Sequence, residues 1–214
     1  APPPPKGFER KMMVVGFGLL RLSAVAQAAQ TQAEQVKYKL AGLNSFQASF
    51  QQQVVDAQNK VVQADGEGVL TLQQPANFRF EVLTPSPNLL VGDGKTLWHY
   101  DQELEQVNIY NANKEVGLTP FALLTSTDAA LWAQYDVTGE RDHFVITPKD
   151  KNNAVQALTL VFSGIGLAKM EVKNSEGQTS QFEFITSQNN VAIDPTLFKF
   201  TPPANVEVDD QRNK

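Results

Sequence analysis

Phe46, Ala48 and Phe50 alternate with Gln47, Ser49 and Gln51, a period of two that turns successive side chains to opposite faces of a strand. The same period recurs in Phe78, Phe80 and Val82 against Arg79 and Glu81. It recurs again in Leu158, Leu160 and Phe162, and in Phe182 with Phe184. Turn-forming clusters separate these runs: Ala64-Asp65-Gly66, Gly92-Asp93-Gly94, Gly164-Ile165-Gly166, Ser175-Glu176-Gly177 and 187–190. Asp93-Gly94, between Leu89-Leu90-Val91 and Thr96-Leu97-Trp98, predicts a two-residue hairpin. Many short strands joined in this way imply an antiparallel barrel or curved sheet, not a parallel α/β fold.

Helical spacing is rarer. Thr31 and Glu34 form a capping box ahead of Val36, Leu40 and Leu43, with Gly42 near the stop, which predicts a helix over 32–42. Thr119-Pro120 before Phe121-Ala122-Leu123-Leu124, and Thr127-Asp128 before Ala129-Ala130-Leu131-Trp132, predict two short apolar helices. Asp194-Pro195-Thr196-Leu197 predicts one more helical turn. A sheet with a few short, strongly apolar helices is a container with candidate lids. No repeat, low-complexity tract or linker divides 29–214, so a single domain is expected there.

The first residues follow a different pattern. Lys6, Arg10 and Lys11 precede an apolar run from Met12 to Leu20, and Ala26-Gln27-Ala28 has the A-x-A form of a signal-peptidase site. Residues 1–28 therefore read as an export signal cleaved after Ala28, with Met12 or Met13 as a candidate start and Arg21 as an irregularity. The leader changes the charge balance. The chain of 214 residues carries −5. Lys6, Arg10, Lys11 and Arg21 against Glu9 give the leader +3, which leaves −8 on the remainder. That balance argues against nucleic acid and against anionic lipid surfaces as partners. The chain has no cysteine, so disulfides, thiolate chemistry and a lipid-modified cysteine are all excluded.

Candidate chemistry is sparse. His99 and His143 fall in separate predicted strands without metal-ligand spacing, and no nucleophile elbow, S-x-x-K pair or H-E-x-x-H helix occurs. Gly94-Lys95-Thr96 imitates the end of a phosphate-binding loop, but Leu89 stands where its first glycine belongs. Asp209-Asp210 alone makes no calcium loop. No metal or cofactor is expected. What remains is an aromatic and aliphatic surplus: Phe46, Phe50, Phe78, Phe80, Trp98, Phe121, Leu124 and Trp132. These residues either fill a core or line a cavity, and a large antiparallel barrel can enclose one. A hydrolase built from separated acidic residues is the enzymatic rival; it requires paired carboxylates facing a cleft.

Four segments carry a family resemblance, in order and spacing: Phe46-Gln47-Ala48-Ser49-Phe50, then Asp93 to Tyr100, then Thr119-Pro120-Phe121 through Leu124, then Phe198 to Pro203 with Val206 to Arg212. Over about 30–214 the chain resembles the outer-membrane lipoprotein carrier proteins, the LolA-type periplasmic chaperones of Gram-negative bacteria. The resemblance implies a mainly β fold with helices: an incomplete antiparallel β-barrel of about 11 strands under a short α-helical lid. By matching position, Phe78, Phe80 and Leu90 would line the barrel side of an apolar cavity, with Phe121 and Leu124 on the lid; Phe46, Phe50 and Trp98 join them as lining candidates. It further implies a monomeric, non-enzymatic periplasmic carrier. Its cargo would be acylated lipoproteins, received from an inner-membrane ABC transporter and delivered to an outer-membrane receptor. The receptor family has a lipid-modified cysteine, which favours the carrier here. A binder of free lipid or another small hydrophobic ligand is the alternative use of the same container.

One departure from the family pattern matters. The family usually has an arginine before the proline that corresponds to Pro75, and its side chain bonds the lid backbone and keeps the empty carrier closed. This chain has Gln74 there, so the latch is expected to be weaker, or replaced by a donor such as Arg79. Pro203-Ala204-Asn205 also lacks a common glycine. The expected container has a hollow opening under 119–132.

Overall fold

The computed structural model describes residues 31–112 and 120–214; the export signal of 1–28 and the capping Thr119 lie outside these. The capping box forms as expected. Thr31 Oγ1 accepts from the Glu34 N–H at 3.2 Å, Glu34 Oε2 accepts from the Thr31 N–H at 3.2 Å, and helix α1 (Gln32–Ala41) follows. Val36 and Leu40 on α1 are buried.

Six strands come next: β1 (Ser45–Val55), β2 (Val61–Gln73), β3 (Asn77–Thr84), β4 (Asn88–Gly92), β5 (Thr96–Asp101) and β6 (Gln106–Asn111). Two short helices interrupt the sheet, α2 (Phe121–Leu124) and α3 (Ala129–Trp132). The chain then forms β7 (Tyr135–Glu140), β8 (His143–Pro148), β9 (Val155–Ser163), β10 (Gly166–Asn174) and β11 (Thr179–Asn189). A 3-10 turn at Pro195–Phe198 precedes β12 (Glu207–Asp210). Asp194 starts that turn, its carboxylate accepting from the Thr196 N–H at 2.9 Å.

All strands belong to one 12-stranded sheet, ordered β12-β6-β5-β4-β3-β2-β1-β11-β10-β9-β8-β7. Among the described residues every pairing is antiparallel except β12 on β6, and that added parallel strand accounts for the excess over the expected number. β12 and β7 stand at opposite edges, so the barrel is not closed.

Cross-strand register sorts the side chains into two faces. One inner row runs Phe46–Leu72–Phe78–Gly92–Leu97–Tyr110, and the next runs Ala48–Leu70–Phe80–Leu90–His99–Asn108. This face shares one buried cluster with Val36 and Leu40 of α1, Phe121, Leu123 and Leu124 of α2, and Trp132 of α3. Two glycines make room for its rings. A Cβ on Gly68 would lie 2.3 Å from Phe50 Cζ and 2.1 Å from the Glu81 carbonyl oxygen; one on Gly92 would lie 2.4 Å from Phe78 Cε1.

The outer face is also partly covered. Its rows Arg79–Val91–Trp98–Ile109 and Glu81–Leu89–Tyr100–Val107 include the buried Leu89, Val91, Val107 and Ile109. The C-terminal segment lies over them. Its 3-10 turn packs on β3 with Phe198 buried, and Phe200 meets Tyr100 with ring centroids 5.5 Å apart. Lys199 forms an ion pair with Asp93.

The expected hairpin exists, shifted by one residue. The Asp93 N–H bonds the Thr96 carbonyl at 3.2 Å, so Gly94 and Lys95 are the central pair, and Gly94 alone takes the left-handed φ of +87°. Asp93 closes the turn, its Oδ1 accepting from the N–H groups of Lys95 at 3.0 Å and Thr96 at 2.8 Å. Burial pushes this carboxyl up, but Lys199 and those donors outweigh it and hold it below its ordinary value.

Candidate functional site

The inner face converges on a cluster of phenylalanine rings. Phe50 stacks on Phe80 at 5.3 Å and meets Phe182 edge-on at 5.2 Å; Phe80 meets Phe182 at 5.5 Å. Phe46 meets Phe184 edge-on at 5.4 Å. The helical cover joins directly. Phe121 of α2 stacks on Phe80 at 4.7 Å and tilts against Phe78 at 5.6 Å. Stacked and edge-to-face pairs of this kind add about 0.5–1.5 kcal/mol each to the burial of the rings.

The structure thus brings Phe46, Phe50, Phe78, Phe80, Phe121 and Leu124 into one cluster, with Leu90 half-buried at its margin. Trp98 is not part of it. Its cross-strand partners are Val91 and Ile109, which puts it on the outer face, opposite Leu97. The segment Leu97-Trp98 is apolar on both faces because the C-terminal segment covers the outer one, so hydrophobicity alone misassigned Trp98.

Phe182, Phe184, Phe144, Phe162 and Met170 belong to the same interior, beyond the residues that the sequence singles out as lining candidates. Their alternation marked strands. Only the long-range pairing of β1 with β11, which sets Phe50 beside Phe184, brings the rings together.

Around the described part of the expected hollow, the rings of α2 and the sheet close on one another. Phe121 is 3% exposed and Phe50 2% exposed, each ring being satisfied by its neighbours. The described clefts lie elsewhere. One, of about 490 Å³, is lined by Gln51, Asp65, Glu67, Lys169, Glu171 and Glu183 among others, and borders the ring cluster at Phe182. Carboxylates do face this cleft; Glu171 accepts from Gln181 Nε2 at 3.3 Å, and Lys169 and glutamines stand among them. Another, of about 430 Å³, lies between α1 and the β9–β10 turn, beside the exposed Tyr38 and Ile165. Among the described residues no group of three or more His, Asp or Glu is placed to hold a metal ion, and no helix is long and apolar enough to cross a membrane.

Among the described residues a few polar ties join cover and sheet. Gln74 Nε2 reaches the Leu40 carbonyl at the end of α1 at 3.5 Å, a long bond, so its acceptor lies on α1 and not on α2. α2 is tied by a main-chain bond instead, from the Ala76 N–H to the Thr125 carbonyl at 3.2 Å. Arg79 is no substitute latch. It belongs to the outer face, donates to the Leu197 carbonyl at 3.3 Å and pairs with Glu81 at 3.5 Å. α1 is further clasped by Lys39, which bonds Asp142 at 2.9 Å and lies 5.4 Å over the Phe162 ring. Within the cover, Trp132 Nε1 donates to the Ser126 carbonyl at 2.8 Å and joins α3 to the end of α2.

An unclosed antiparallel barrel whose inner aromatic face is covered by short apolar helices defines a class of lidded β-container. The sequence pattern of the family described as "Outer membrane lipoprotein carrier protein LolA" matches residues 41–201. The chain is 39% identical over 182 residues to the outer-membrane lipoprotein carrier protein of Shewanella pealeana, covering 85% of this chain and 86% of that one. It is 38% identical over 199 residues to the protein of the same name in Proteus mirabilis, covering 91% of this chain and 98% of that one. A LolA superfamily protein of known structure from Nitrosomonas europaea aligns with a TM-score of 0.44 at 11% identity, covering 79% of this chain and 99% of that one. The chain belongs to the LolA family of outer-membrane lipoprotein carriers.

Proposed function

We propose that this protein carries acylated lipoproteins across the periplasm, their acyl chains held between the inner face of the sheet and the helical cover. It receives them from an inner-membrane ABC transporter, delivers them to an outer-membrane receptor, and makes or breaks no covalent bond. The observation that carries this reading is the stacking of Phe121 on Phe80. The inner face is completed by a detachable helix, so acyl chains can take the place of that helix without leaving the sheet bare.

The energetics fit a carrier that must also release. Lifting the cover exposes Phe121, Leu123, Leu124 and Trp132, all buried here. At about 1.5–3 kcal/mol per side chain this costs about 6–12 kcal/mol. Each buried methylene returns about 0.8 kcal/mol, so about 8–15 methylenes, roughly one acyl chain, cancel the opening. Further chains supply a net affinity well below that of full enclosure. Loading therefore needs work from the donor, and unloading needs only a receptor with a better-fitting cavity.

The test is release of newly made lipoproteins from spheroplasts by the purified chain. Release into the medium, in complex with the protein, is the expected result. Uptake of free fatty acid without any release of lipoproteins would instead establish a binder of free lipid.

A further inference from the structure

The inner face is not apolar throughout. Its second row passes from Phe80 through Leu90 to His99 and Asn108, and its third from Phe50 through Gly68 and Val82 to Asn88, Asp101 and Gln106. Apart from Leu90, the side chains on β4 to β6 below Leu97 are therefore polar, on the same face as the phenylalanine cluster and all half-buried. Leu90 is the boundary, with Phe80 beside it on one strand and His99 on the other. Polar residues at positions that register assigns to a mostly apolar face need partners, and a ligand can supply those the protein itself leaves unmade.

We infer that this polar corner is a head-group subsite: it takes the ester and amide groups of an amphiphile whose chains lie against the adjacent phenylalanines. The inference rests on the carrier reading and adds to it the chemistry of the part of the cargo next to its chains. The corner offers both kinds of hydrogen-bonding partner. The Asn88 amide lies 3.0 and 3.2 Å from His99 Nε2, which fixes the ring, and Gln106 Nε2 donates to Asn108 Oδ1 at 3.4 Å. Asp101 Oδ1 accepts from the Leu104 N–H at 3.0 Å. The second Asp101 oxygen and the Asn108 amide nitrogen lie outside these bonds, an acceptor for amide N–H and a donor for an ester carbonyl. Burial lowers the basicity of the His99 imidazole against the opposing pull of Asp101, so the ring favours its neutral form, which can donate from one nitrogen and accept at the other. A carrier lined only with phenylalanine would grip any alkyl chain of the right length. A polar corner at a fixed distance from Phe80 selects chains that end in a hydrogen-bonding head.

The experiment compares two ligands on the whole protein: hexadecylpyrene, which has chain and no polar head, and a synthetic dipalmitoylglyceryl-cysteinyl-serine amide. In the double variant His99→Phe, Asn108→Leu the lipopeptide is expected to lose about tenfold in affinity, the effect of about one unmade hydrogen bond to a buried group, while hexadecylpyrene holds. His99→Gln, which keeps a donor and an acceptor, is expected to retain the preference. An unchanged lipopeptide affinity, or an equal loss for both ligands, overturns the subsite and leaves the carrier reading standing. A wild-type protein that binds neither ligand overturns both.

Discussion

The Phe121 ring is buried against Phe78 and Phe80, and Phe121→Ala removes both contacts. In a fixed core the loss of a buried phenylalanine side chain costs about 3–5 kcal/mol, transfer and cavity together. Phe46→Ala, on the sheet itself and fully buried, should show that whole amount. With a urea slope of about 2–3 kcal/mol per molar, its unfolding midpoint should fall by about 1–2 M. Phe121 sits on a four-residue helix that the carrier reading requires to leave the sheet while the barrel stays folded. The loss lies within the opening cost of about 6–12 kcal/mol, so the cover still closes in the variant and the urea midpoint should fall about as far as in Phe46→Ala. What separates the two variants is where and how exchange rises. In Phe121→Ala the amides of 121–132 and the end of α1 should exchange at least about a hundredfold faster, through an opening that low urea hardly promotes because it exposes little surface. Hydrogen-exchange mass spectrometry at several low urea concentrations measures this. Exchange over 121–132 that is no faster than in the core strands and rises with urea as steeply as theirs would show a cover that opens only when everything unfolds, and would refute the carrier mechanism.

Gln74→Arg replaces a bond of 3.5 Å to the Leu40 carbonyl by a charge-assisted one, worth about 1–2 kcal/mol more to the closed state. Uptake of a fluorescent hydrophobic probe should slow by about 5- to 30-fold, and unchanged uptake together with unchanged lipoprotein release would end the latch idea. The chain has two tryptophans, one on each side of the sheet. In Trp98→Phe the remaining Trp132 emission should respond to apolar ligand, whereas in Trp132→Phe the Trp98 emission should not; the reverse pattern would invert the faces. Burial holds the His99 pKa below the ordinary 6.5, Asp101 opposing, so as pH falls the unfolded chain takes up a proton before the folded one does. Stability linked to His99 is therefore complete above the ordinary value and lost below it. The melting temperature should drop more between pH 7 and pH 5 in the wild type than in His99→Phe. Equal drops in calorimetry would contradict this.

Where local chemistry decides the outcome, the amino-acid pattern was a sufficient guide. The Thr31–Glu34 box starts α1 because its reciprocal bonds involve only residues of the first turn. Asp128 and Asp194 start their turns for the same reason. The β4–β5 hairpin was recognisable but misplaced by one position, because Asp93 serves as the closing residue and leaves Gly94 the left-handed site. What could not be read locally depends on pairings across the chain. Alternation shows that Phe78 and Phe80 share a face, but Leu89-Leu90-Val91 and Leu97-Trp98 are apolar on both sides, and nothing within them says which side carries the helices. The outer side is apolar because residues about a hundred positions later, Phe198 and Phe200, lie against it. The reach of Gln74 to α1 and of Arg79 to Leu197 has the same origin.

The two coverings of the sheet differ in what their removal would strand. The C-terminal segment is fastened by polar groups: Lys199 on Asp93, Arg79 on the Leu197 carbonyl, the Asn111 amide on the Arg212 carbonyl at 2.6 Å, and the β12–β6 ladder. Replacing it with an alkyl chain would leave an aspartate without its cation and main-chain groups without partners, each costing about 1–3 kcal/mol that hydrocarbon cannot repair. The helical cover presents phenylalanine, leucine and tryptophan to phenylalanine, with Ala76–Thr125 and the long Gln74–Leu40 bond as its described polar ties to the β2–β3 turn; Lys39–Asp142 and the Asn190 amide on the Gly42 carbonyl hold α1 alone, not α2 or α3. Hydrocarbon substitutes for such a surface with little loss, since contact energy between apolar atoms depends on packing and hardly on identity. On the carrier reading, a sheet covered on both faces thus opens to acyl chains on the inner one alone, and the polar ties fix the outer covering as the permanent wall.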